Sequence, residues 1–117
     1  MMTNIKIKPY YESRLYIGSL KHTGEEFDQQ GLEKAISNIQ DNYKYVIPVR
    51  ITPTVFISGS EYRECGWEIS AINYPKIETN SMDIDDFMKY LAIKLSKKFK
   101  QHTICVMDSR QITMYEE

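Results

Sequence analysis

Few side chains in this sequence can do chemistry, and they fall into two groups. The first is the pair of histidines, His22 and His102, together with Cys65 and Glu68. A histidine can act as general acid or base near neutral pH, and a thiol beside a charge can act as a nucleophile. The second is the run Glu61-Tyr62-Arg63-Glu64-Cys65, with Trp67 and Glu68 just beyond it. It concentrates carboxylates, a guanidinium and aromatic rings in one stretch, the mixture of a binding loop.

Neither group carries the spacing of a known catalytic device. Two-histidine phosphoesterases need a hydroxyl two residues after each histidine. Here Thr23 and Thr103 come one residue after, and on a strand that step turns the hydroxyl to the other face. No histidine adjoins Cys65 in sequence to activate its thiol. There is no CxxC or HxxxH pair to hold a metal, no Walker A run, and no GxGxxG. The reading is therefore no assigned catalytic residue, no metal and no cofactor. The leading expectation is a non-catalytic interaction or ligand-binding module. The alternative is a small enzyme or nucleotide-binding protein whose site assembles in space from His22, His102, Cys65 and Glu68.

The elements that position these residues follow from apolar periodicity. Arg14 to Leu20 reads as a strand, with Leu15 and Ile17 on one face and Tyr16 and Leu20 on the other. Residues 1–12 read as an edge strand or a loose arm. Thr23 and Glu26 have capping-box spacing and predict the start of a helix of about five turns. Phe27, Leu32, Ala35, Ile36, Ile39 and Tyr43 would form its apolar stripe. Tyr45 to Ser58 is rich in β-branched residues but holds Pro48 and Pro53, so it predicts an edge strand, a bulged strand or two short strands. Gly59 to Gly66 reads as a hairpin loop, and Trp67 to Tyr74 as a strand with Trp67, Ile69 and Ala71 on one face.

A second helix carries Asp83, Asp85 and Asp86 at its start and Lys94, Lys97, Lys98 and Lys100 at its end, matching the helix dipole. Its apolar stripe is Ile84, Phe87, Met88, Leu91, Leu95 and Phe99. Thr103 to Met107 and Ile112 to Tyr115 close the chain as a strand and a short returning strand. The order predicts one α+β domain over residues 1–117. It is a ferredoxin-like β-α-β-β-α-β sandwich, an antiparallel sheet with two helices on one face and an extra C-terminal hairpin strand.

Such a sheet leaves one face uncovered. Tyr16 and Tyr74 are expected there, and with Glu61, Tyr62, Arg63, Glu64 and Trp67 they form the predicted binding set. Nine tyrosines among 117 residues suit a half-buried face or an interface, and homodimerisation is one way to cover it. The expected partners are a protein or small ligand and a second copy. A formal net charge of -1 argues against a nucleic-acid backbone as partner. No apolar run approaches the ~18 residues of a membrane span. With no secretory signal visible and two unpaired cysteines, the expectation is a reduced cytoplasm.

The runs RLYIGSL, PTVFISGSEYRECGWEISAINYPKI and KKFKQHTICV give the whole chain a pattern that resembles small bacteriophage and prophage accessory proteins of unknown function. That resemblance implies a protein that binds a host factor or a nucleotide signal. It carries over no site residue.

Overall fold

Alternation along the first strand is realised as β1, Glu12–Gly18. Ser13, Leu15 and Ile17 are buried while their neighbours are half-exposed. The computed structural model describes residues 10–21, 23–73, 80–101, 103–108 and 112–116. The proposed arm before β1 lies largely outside those residues, and its last residue, Glu12, belongs to β1 itself.

The first helix starts later than the capping-box spacing indicates. It is α1, Gln29–Asp41, and its cap is Asp28, whose carboxylate accepts a 2.8 Å hydrogen bond from the Gly31 N–H. The physical reason is Gly24, with φ of +91°. A helix cannot pass through that conformation, and the chain turns there instead. The Lys21 N–H donates to the Glu25 carbonyl at 2.7 Å across the turn, and Leu20 bridges Glu26.

The proline-bearing block gives one strand, β2, Arg50–Ser58, at the edge of the sheet. The edge is where a residue without an N–H costs least, which is how Pro53 is accommodated. The hairpin loop expected over Gly59–Gly66 shrinks to a tight turn after Ser58, with Gly59 at φ +70°. Tyr62–Ile72 is β3, so the polar run from Tyr62 to Gly66 is strand. Trp67, Ile69 and Ala71 share one face as expected, and that face is the buried one. Asn80 caps α2, Ser81–Lys98, by accepting from the Asp83 N–H at 2.8 Å. The strands β4, Thr103–Asp108, and β5, Ile112–Glu116, complete the fold.

The sheet order is β2-β3-β1-β4-β5, and every neighbouring pair is antiparallel. The first four strands have the ferredoxin-like arrangement, and β5 extends it by one hairpin. Leu15, Ile17, Trp67, Ile69, Ile104 and Val106 of the sheet pack against Leu32 and Ile36 of α1 and Phe87, Met88 and Leu91 of α2. The aromatic contacts fix the layer. Phe27 stacks on Phe99 with ring centroids 4.0 Å apart, and Tyr43 meets Phe87 edge-on at 5.0 Å. Truncating a fully buried ring such as Phe87 costs ~3–5 kcal/mol by this kind of packing loss. Among the described residues, no helix is long and apolar enough to cross a membrane.

Candidate functional site

The face of the sheet away from the helices is read from the register. Thr52, Glu68, Tyr16 and Cys105 are successive cross-strand partners and form one row. Thr54, Gly66 and Gly18 form the next row, and Phe56 with Glu64 the third. The middle row has glycine on two adjacent strands, which leaves a shallow dip that the Glu64 side chain partly covers. Its walls are the residues of the rows on either side.

The two glycines have different reasons to be glycine. A Cβ on Gly66 would run into the backbone of Ile17 and Gly18, so the close approach of β3 and β1 requires it. A Cβ on Gly18 would meet only the Glu64 side chain, whose carboxylate lies across that glycine. Tyr16 and Phe56 lean toward each other over the dip, edge to face, with centroids 5.4 Å apart.

Both carboxylates at this notch accept hydrogen bonds from tyrosines. The Tyr16 hydroxyl donates to Glu68, and the Tyr62 hydroxyl donates to Glu64. Burial, and then the Glu68 carboxylate, push the Tyr16 hydroxyl above its usual range. The bond to Glu64 does the same for Tyr62. Both phenols therefore keep their protons at neutral pH and act as donors. Among the described residues, neither Glu64 nor Glu68 is paired with a cation. Two negative charges beside two aromatic rings attract a positively charged ligand, because ring faces and carboxylates are both electron-rich.

Positive charge lies along the same face. Arg14 stands two residues before Tyr16 on β1, about 7 Å along the strand. Its Nε is 3.2 Å from Glu12, which Arg50 also approaches at 3.8 Å. A guanidinium suits a carboxylate bidentately. The face thus carries two carboxylates beside two aromatic rings and, one row away, an arginine whose guanidinium is ion-paired with Glu12.

The sequence-derived residues divide across the structure. Tyr16, Tyr62 and Glu64 meet at the notch. Glu61 is exposed at the hairpin turn. Arg63 lies on the opposite face, where its guanidinium donates to Cys65 Sγ at 3.2 Å. Trp67 leaves the binding set: it is buried at 7% exposure, and its indole N–H donates to Gln29 at 3.1 Å. Its position between Gly66 and Ile69 on the inward-facing register explains this. Tyr74 lies outside the described residues, as do His22 and His102.

Of the alternative enzyme site, the two residues that are described lie apart. Cys65 shares the helix-side register with Trp67, whereas Glu68 is on the open face. Three residues along a strand put two side chains on opposite faces. Phe56 and the Gly18–Gly66 pair went unread in the sequence, since only the cross-strand register brings them together. Among the described residues, no cluster of three or more His, Cys, Asp or Glu side chains has the geometry to hold a metal ion.

No family model matches the chain, and no curated protein matches it. Solved structures do resemble it. One is a phage SAM lyase in complex with S-methyl-5'-thioadenosine, with a TM-score of 0.69 and 11% identity, covering 100% of this chain and 97% of that one. Another is a phage SAM lyase in the apo state, with a TM-score of 0.66 and 12% identity, covering 92% and 89%. At such identity the likeness is one of fold, and it runs end to end.

Proposed function

We propose that this chain is a phage-encoded protein that binds S-adenosylmethionine on the open face of its sheet and cleaves it, releasing S-methyl-5'-thioadenosine. The observation that carries the reading is the glycine-floored notch, with two uncompensated glutamates and two aromatic rings. It lies on a fold that matches a phage SAM lyase over its whole length. S-Adenosylmethionine has the matching chemistry. Its sulfonium and ammonium are cations for Glu64 and Glu68, its adenine is a flat ring for Tyr16 and Phe56, and its carboxylate suits Arg14.

The reaction removes the charge that binds the substrate. The electron pair of the broken C–S bond passes to sulfur, and the sulfonium becomes a neutral thioether. A lyase adds no water, so the four-carbon fragment leaves with a new double bond or a new ring. Glu68 would take the proton in the first case, and the substrate's own carboxylate would close the ring in the second. Loss of the cation weakens the hold of both glutamates on the thioether product, which favours its release. The two free thiols, Cys65 and Cys105, fit a reducing cytoplasm, where this substrate is met.

Thermal shift tests binding first. A ligand at about 100 times its dissociation constant adds ~2.7 kcal/mol, or roughly 10 °C for a domain this size. No shift with S-adenosylmethionine or with S-methyl-5'-thioadenosine would sink the reading.

A second reading, an interaction module without turnover, is favoured by a separate observation. Val55 and Ile57 sit 45% and 71% exposed on the outer half of the β2–β3 hairpin. A second copy pairing along β2 would cover this edge and make a homodimer. A mass in solution that stays monomeric at high concentration rejects the dimer. Ile57→Lys should split a dimer that does form.

A further inference from the structure

A trough runs between α1 and α2 on the side of the helices away from the sheet. It has a volume of about 590 Å³, and Gly31, Ala35, Ile39 and Phe99 contribute to its floor. One wall carries Lys34 and Asn38, a turn apart on α1, and the other carries Lys94 and Lys98, a turn apart on α2. No acidic side chain lines it. Small residues give it depth, since Gly31 and Ala35 stand where larger side chains of α1 would fill the space between the helices.

The dipole of α2 accounts for Lys98, which lies in its last turn, and supports Lys94 one turn earlier. It does not account for Lys34, which lies in the middle of α1 on the facing wall. Lys34, Lys94 and Lys98 form no ion pair among the described residues. The Lys94 ammonium lies over the Tyr90 ring, 5.4 Å from its centroid. The chain as a whole has a formal charge of -1, so this positive trough is a local arrangement rather than a general excess.

An apolar floor between two rows of lysine, running for about two helical turns, has the shape and charge for one kind of occupant. We infer that the trough docks an acidic amphipathic helix of a partner protein. The partner's apolar residues at i, i+3 or i+4, and i+7 would rest on Ala35, Ile39 and Phe99. Its glutamates or aspartates would meet Lys34, Lys94 and Lys98. This surface lies on the opposite side of the molecule from the notch, so it can act while the notch is occupied. The inference stands whether or not the notch cleaves its ligand.

The test uses the full chain and a fluorescein-labelled helical peptide of about 18 residues, with leucine on one face and glutamate on the other. A matched peptide with lysine in place of glutamate is the control. The acidic peptide should bind and the basic one should not. Binding should fall at least ~10-fold in Lys34→Glu/Lys94→Glu. It should also fall in Ala35→Trp, which fills the trough without changing charge. Hydrogen exchange should slow over residues 31–39 and 94–99 when the peptide is present. The charge variant should melt near the wild type. Ala35→Trp, whose site packs against the core, should lose at most a few degrees while still unfolding in one cooperative transition, which separates a lost trough from a lost fold. The inference is overturned if the acidic peptide does not bind, if both peptides bind equally, or if Ala35→Trp binds it as well as the wild type. Inorganic polyphosphate that binds the wild type and Ala35→Trp alike, and displaces the peptide, also overturns it. That result would mean a plain cationic surface.

Discussion

Glu68 and Tyr16 are the residues on which the notch turns. The carboxylate of Glu68 has no cation partner among the described residues and is oriented by the Tyr16 hydroxyl. Glu68→Gln removes the charge while keeping the shape. A hydrogen bond to a charged group contributes ~1.5–3 kcal/mol, so affinity for S-adenosylmethionine should fall ~10- to 100-fold by calorimetry. The half-exposed site predicts little change in melting temperature. Tyr16→Phe keeps the ring and should lose less. Equal affinity in wild type and Glu68→Gln would remove Glu68 from the site. A different tyrosine governs stability at high pH. Burial, with the 2.9 Å bond to Asp83, pushes the Tyr45 hydroxyl up to about 12. The folded state then holds a proton that the unfolded state loses above about pH 10. Stability from this group is full below pH 10 and is lost as pH rises toward 12. Tyr45→Phe should flatten that part of the alkaline unfolding curve measured by circular dichroism.

At the scale of elements, the two glycines of the notch separate fold from function. Gly66→Ala sets a Cβ against the Ile17 carbonyl and the Gly18 backbone, which cannot yield without opening the β1–β3 pairing. Overpacking of this kind costs ~1–3 kcal/mol, so the melting temperature should drop by roughly 5–15 °C. Gly18→Ala meets only the flexible Glu64 side chain. It should melt close to the wild type, yet bind S-adenosylmethionine more weakly because the carboxylate is displaced. A large drop for Gly18→Ala would contradict this division. Most elements were legible from the sequence because periodicity is local. The shared face of Trp67, Ile69 and Ala71 on β3, the stripe of α2 and the β4–β5 hairpin all follow from spacing alone. The start of α1 was not, because the positive φ at Gly24 overrides the Thr23–Glu26 spacing. Nor was the short turn after Ser58, since Glu61 to Gly66 is polar enough to pass for loop.

For the whole molecule, the legible part was the architecture and its uncovered face. The site on that face was half legible. Tyr16, Tyr62 and Glu64 stood out by type, while Phe56 and the pairing of Gly18 with Gly66 enter only through the register of three strands. Trp67, a member of the predicted binding set, is used by the fold for packing. The measurement that tests the central claim most directly is product analysis. The purified protein is incubated with S-adenosylmethionine, and the nucleoside products are resolved by chromatography with mass detection. The account predicts S-methyl-5'-thioadenosine in molar excess over protein, and its near loss in Glu68→Gln with the melting temperature kept. Intact S-adenosylmethionine, together with no thermal shift on its addition, would contradict it.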